Sequence, residues 1–271
     1  MKCGKKLEFH YQNGTILRAD TLNAQAEETT NFRNSVYSDY PNGIVSGFAL
    51  RERKDGMHYL SNGLLKVDGD IYLLPAINLD AWLKHLNVQP DCIYYLCLQK
   101  AVTPSIAVRE ETSPITESVL ELVAHKKSEM KQEEWVVAKF MQFAGDFKFA
   151  VTLKEHCNDN YFSTMCGDYA ISGGKAVSSD FTNAIQTELE QKYRKDSLDV
   201  ALYLNCLQSN CLSRKALIAY CSCKLERPVE WNEVLTVLQQ SIGKNIDPVS
   251  VILTNSEKIV QKNNDGFDHN L

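Results

Sequence analysis

The feature that most constrains this chain is a change of hydrophobic period near Asp180. Upstream, apolar residues fall in short runs broken by turn signals. Downstream, Phe181, Ile185, Leu189 and Tyr193 recur every four residues. Short runs at turn-bounded spacing suit strands, and a four-residue stripe suits a helix that buries one face. One chain holding both in succession, rather than in alternation, reads as an α+β protein.

The upstream half supplies the strand signals. Ile44 to Arg53 and Met57 to Lys66 are each read as one strand. Leu65-Lys66-Val67 and Asp70 to Leu74 flank Asp68-Gly69, a tight hairpin signal, and Pro75 ends the second run. Asp91 to Lys100 reads as a buried strand and Thr103 to Thr116 as an edge or connection. Trp135 to Phe143 turns through Gly145-Asp146 into a strand over Phe147 to Leu153. That makes about seven strands, the number of an antiparallel β-sandwich. A very polar helix over 21–36 precedes them, with only Leu22, Ala26, Phe32 and Val36 to pin it to the sheet.

Downstream, Asp180, Asp196 and Ser213 each stand where an N-cap is needed, and Leu212 and Leu217 are spaced for a hydrophobic staple. The second helix is expected to bury Leu198, Ala201, Leu202 and Leu207. Pro228 suits the first turn of a helix ending at Gly243, and Asp247-Pro248 opens another. The expected organisation is a β-sandwich over 1–157, a polar linker over 158–179, a helical bundle over 180–262 and a disordered tail over 263–271.

Composition narrows the function classes. The 271 residues carry a formal net charge of -5, which speaks against a dedicated nucleic-acid binder. The basic run Lys192-Tyr193-Arg194-Lys195 is short and reads as a solvated helix end. No apolar run approaches the roughly 18–20 residues of a membrane span. Met1 to Lys6 is basic, but the apolar stretch of a secretory leader does not follow. Nine cysteines then read as reduced thiols in a cytoplasmic protein.

Catalytic signals are scarce. Ser172-Gly173-Gly174-Lys175-Ala176 lacks the first glycine and the hydroxyl of a phosphate loop, and no Gly-x-Ser-x-Gly elbow occurs. Cys206, Cys211, Cys221 and Cys223 fall in helical segments, where cysteine packs as a small hydrophobe. His156, Cys157 and Cys166 offer three ligand types near a loop but no fourth partner in sequence. No catalytic, cofactor-binding or metal-binding residues are therefore assigned, and no enzyme activity is expected.

Near the start of the chain the turn glycine Gly14 is followed by Ile16-Leu17, then a helix from Thr21 with Asn23 and Gln25, then the return Pro41-Asn42-Gly43-Ile44-Val45. Leu64 to Ile71, Pro75, Ile93 to Leu98 and Phe149 to Leu153 continue the series. In this order the signals resemble the TssK family of baseplate subunits from bacterial type VI secretion systems, over roughly residues 7–245. The glutamine run of that family is reduced here to Gln25, and its C-terminal head has no room, so docking to a membrane complex is not expected.

The resemblance implies a β-sandwich shoulder that grips other baseplate subunits and a bundle that forms a homotrimer. The shoulder is similar to that of siphophage receptor-binding proteins, so a phage-derived receptor-binding or tail-adaptor protein is the second reading. Tyr37, Tyr40 and Tyr161 are its candidate contacts. A cytosolic enzyme whose site assembles only in space is the third. Under the first reading the interface residues are expected to be Leu17, Leu22, Gln25, Phe32, Val200, Tyr203 and Leu204. The last three lie off the expected buried stripe of their helix.

Overall fold

A computed structural model describes residues 19–89, 91–101, 119–142, 146–192 and 195–243. Leu17, the connection over 103–116, Tyr193, the helix from Asp247 and the tail from 263 lie outside them. The fold is mixed α+β. The strands are β1 (Gly43–Gly47), β2 (Leu50–Glu52), β3 (His58–Leu60), β4 (Gly63–Val67), β5 (Asp70–Leu74), β6 (Ile77–Asn78), β7 (Ile93–Ala101), β8 (Val119–Lys126), β9 (Glu134–Met141), β10 (Lys148–Phe149), β11 (Tyr161–Phe162), β12 (Tyr169–Ile171) and β13 (Gly174–Ala176). The helices are α1 (Ala19–Val36), α2 (Leu79–Lys84), α3 (Leu153–His156), α4 (Ser179–Gln191), α5 (Ser197–Gln208), α6 (Arg214–Leu225) and α7 (Trp231–Gly243).

These strands form a five-stranded sheet in the order β13-β12-β1-β4-β5. Two three-stranded sheets run β2-β3-β6 and β8-β7-β9, and β10 pairs with β11. The Asp68-Gly69 hairpin forms as read: Val67 faces Asp70, and both turn residues have positive φ. That is the backbone of a type I′ turn, matched to the twist of its flanking strands.

Two pairings, β1 with β12 and β10 with β11, are parallel. The sheets are therefore not purely antiparallel as expected. The cause lies in residues 158–179, read as a linker. Here β12 and β13 complete the first sheet, and the β12–β13 turn uses Gly173 at φ 80. The segment is polar because it is rich in turns, yet Tyr169 is 2 % exposed and its hydroxyl donates to the Phe48 carbonyl at 2.9 Å.

The two long strands expected between Ile44 and Lys66 are each broken. Gly47 (φ 68) and Phe48 (φ 53) both occupy the left-handed region, so the ribbon bends there and passes from the five-stranded sheet into the β2-β3-β6 sheet. At the bend Gly47 lies opposite Gly63. A β-carbon on Gly47 would stand 2.0 Å from the Asn62 carbonyl oxygen. The strand expected over Phe147–Leu153 is cut to β10. Thr152 accepts from Glu155 N–H, and Glu155 accepts back from Thr152 N–H, a reciprocal cap that starts α3 instead.

Downstream, the caps at Asp196 and Ser213 form as read. The α4 cap is Ser178 rather than Asp180. Helix α7 opens at Trp231, three residues past Pro228, with Arg227 paired to Glu233 at 3.0 Å. Buried residues gather in two clusters. One holds Phe48, Leu65, Leu96, Phe140 and Phe162 of the sheets. The other holds Leu153, Met165, Phe181, Ile185, Leu217 and Leu238 of the helices and of the segment leading into them. Arg214 stitches the two, donating to the Ala176 and Gly167 carbonyls at 3.0 and 2.9 Å.

Candidate interaction surface

Helix α1 is fixed at its C-terminal end. The Lys66 ammonium on β4 donates to the carbonyls of Tyr37, Ser38 and Tyr40 at 2.6, 3.1 and 2.7 Å. A cation there satisfies the orphan carbonyls of a helix end and complements its dipole. Tyr37 and Tyr40 pack edge to face at 5.4 Å, Gly173 N–H donates to the Asp39 carbonyl, and Asn42 and Asp68 exchange two hydrogen bonds.

Ahead of that clamp no residue from Asp20 to Val36 is buried. Of the half-buried positions, Thr21, Ala24 and Glu28 share one stripe and Thr30 stands off it, and α1 lies near β5. Leu22, Phe32 and Val36 are 45, 69 and 51 % exposed, so they do not pin the helix to the sheet. Its small and polar face turns inward and its apolar residues turn out. Gln25 is exposed with them.

Helix α5 repeats the pattern within the helical core. Leu202 and Cys206 are buried, but Ala201 and Leu207, expected beside them, are exposed. Asp199 is buried instead. Its carboxylate accepts from Lys192 at 2.7 Å and from the Tyr220 hydroxyl at 2.8 Å, and Lys224 lies 2.8 Å away. Burial works against the charged form, but the hydrogen bonds from Lys192, Lys224 and Tyr220 outweigh it and hold this carboxyl below the usual range. Lys192 therefore turns inward, to Asp199 and the Ser241 carbonyl, rather than standing at a solvated helix end.

Rotating α5 to bury Asp199 leaves Val200, Leu204 and Leu207 outward, at 42, 49 and 54 % exposure. These positions lie four and three residues apart on one face. Tyr203, expected with them, is half-buried against the helical core and donates to Glu190 at 3.0 Å.

Of the groups considered for chemistry, Cys223 is exposed on α6, and Cys211 lies between α5 and α6 rather than in a helix. His156 is fully buried, with Nδ1 2.9 Å from the Ser163 hydroxyl, and burial pushes its imidazole down to about 4. Burial likewise pushes the thiols of Cys157, Cys206 and Cys211 up to about 11, and those of Cys166 and Cys221 up to about 12. A thiol so raised is protonated at neutral pH and is neither a nucleophile nor a ready metal ligand. Among the described residues no group of three or more His, Cys, Asp or Glu side chains is placed to hold a metal ion. No described helix is long and apolar enough to cross a membrane. Tyr37, Tyr40 and Tyr161 are half-buried.

No family model and no curated protein matches the chain. Solved structures that resemble it include a chain of the type VI secretion system TssK-TssF-TssG baseplate subcomplex seen by cryo-electron microscopy. It is 11% identical over 89% of this chain and 100% of that one, with a TM-score of 0.32. The crystal structure of TssK is 10% identical over 89% of this chain and 70% of that one, with a TM-score of 0.36. A chain of the baseplate complex from the type VI secretion system is 12% identical over 88% and 99%, with a TM-score of 0.33. Over most of its length the chain is thus similar, at low identity, to TssK and to chains of type VI secretion baseplates.

Proposed function

We propose that this chain is a non-enzymatic structural adaptor of a contractile-tail-like baseplate, working in the cytoplasm as a homotrimer. The observation that carries the reading is the outward stripe Val200, Leu204 and Leu207 on α5. A packed bundle helix that keeps such a stripe in water has a partner to cover it. In this reading the α5 stripe joins copies of the chain, and Leu22, Gln25 and Phe32 of α1 grip other baseplate subunits. Leu17 belongs to the same expected surface, whereas the hydrogen bond of Tyr203 to Glu190 gives that residue a place within its own bundle. The baseplate setting rests on the order of sequence signals from Gly14 to Val45. The chain needs no cofactor, nucleic acid or membrane insertion for this role.

Leu204→Glu tests the self-association. The residue is half exposed, so the fold tolerates the change, while a carboxylate buried in an interface does not. The expected result is conversion of the oligomer to single chains with an unchanged circular dichroism spectrum. An oligomer that survives the substitution contradicts the assignment of this face.

A further inference from the structure

Two open cavities, of about 600 and about 490 Å³, meet at Arg51 and Asn183, where β2 faces α4. Arg51 is held by one nitrogen: Nη1 donates to the Leu50 carbonyl at 2.8 Å and to Asp180 Oδ1 at 3.1 Å. Its side chain is 47% exposed, and its remaining N–H groups make no hydrogen bond among the described residues. Asp180 is almost fully occupied on the inner side, accepting also from Leu50 N–H at 2.8 Å and the Thr164 hydroxyl at 3.1 Å.

The larger cavity continues from Arg51 along hydroxyl and carboxamide groups, among them Ser172, Ser209 and Asn210. Among the described residues Arg51 is the one charged residue lining it. The smaller cavity is lined also by Glu52, Lys148 and the Asp180 carboxylate, and by an apolar wall. There Phe149 stacks on His58 at 3.8 Å, and Val151 is 75 % exposed. The fully buried His156 also lines this end, and its Nε2 has no hydrogen-bond partner among the described residues. Burial keeps that ring neutral at physiological pH, so with Nδ1 serving Ser163 the other ring nitrogen is left to meet a polar partner.

We propose that this trough binds an extended acidic peptide segment of a partner protein. A glutamate or aspartate carboxylate sits on the open edge of the Arg51 guanidinium, and a neighbouring apolar side chain lies against Phe149 and Val151. A planar guanidinium fixed on one side and free on the other suits a carboxylate, and the uncharged donors of the larger cavity extend the same preference. Two open cavities that share Arg51 and Asn183 suit a chain laid across both rather than one enclosed small molecule. The site is separate from the α1 and α5 stripes, so its failure leaves the assembly reading standing.

The test is an array of end-blocked heptapeptides, randomised around a central glutamate, glutamine or lysine and probed with the full-length protein. The expected result is retention of the glutamate set over the glutamine set by roughly tenfold, the size of one charge-assisted hydrogen bond. Arg51→Gln, which keeps a donor for Asp180, brings that ratio to about one. Ser172→Asp, an exposed change that puts a carboxylate in the larger cavity, weakens the glutamate set without altering the melting temperature. Equal retention of the glutamate and glutamine sets, no retention of any set, or a preference that survives both substitutions overturns the proposal.

Discussion

At the scale of single residues, Asp199 decides the most. Three side-chain donors and the Asp196 N–H converge on a carboxylate whose side chain is 1% exposed, and Lys192 and Lys224 are themselves only 14% and 12% exposed. Removing one partner of such a buried cluster leaves the other charges uncompensated. Asp199→Asn is therefore expected to cost about 3–5 kcal/mol of unfolding free energy, read by urea denaturation at pH 7. The pH dependence has a defined sign. The folded carboxyl titrates below its unfolded value of about 3.9, so the stabilisation is complete above that value and disappears as pH falls through the folded one. The wild type should lose this increment below about pH 4, and the Asn variant should show no corresponding loss. Nothing in the sequence marks Asp199 as buried: an acid three residues after the cap Asp196 reads as an ordinary first-turn charge. The lysines that bury it come from the end of α4 and from α6, and only the fold brings them together.

Among the elements, signals that live within a few residues were legible, and those set by distant contacts were not. Asp68-Gly69 encodes its turn in two residues, and Asp196 and Ser213 encode their caps in four. Thr152-Leu153-Lys154-Glu155 carries an equally local capping box, but it overlaps the apolar run from Phe147, and the strand pattern masks it. The break at Gly47-Phe48 lies inside a run with unbroken strand character. Its cause is the close approach of Asn62 across the ribbon, which a linear reading does not contain. Gly47→Ala is expected to cost at least about 2 kcal/mol, from left-handed strain together with the 2.0 Å approach to the Asn62 carbonyl. Gly56 provides the control. It also has positive φ, but a β-carbon there meets nothing within 4 Å, so Gly56→Ala should cost only the conformational term of roughly 1 kcal/mol. Comparable losses at the two positions, by urea denaturation, would show that the close approach does not hold the bend.

For the whole molecule, the separation into a sheet core and a helical core was legible from the change of period, though the boundary was not. Strands β12 and β13 carry the sheet past the polar stretch that reads as a linker, and Arg214 and Asp180 bind the two cores together. Leu22 and Phe32 of α1 and Val200 and Leu204 of α5 are exposed, and Leu207 joins them because Asp199 takes the inward side of α5. The Arg51 trough was not legible at all, since β2 and α4 contribute residues 129 positions apart. Both helices leave apolar faces in water, and the account stands or falls on whether copies of the chain cover the α5 face. The direct measurement is the absolute mass in solution, by size-exclusion chromatography with light scattering over a wide concentration range. The expected result is a stable species of three times the 30.6 kDa of one chain. A single chain at every concentration would contradict it.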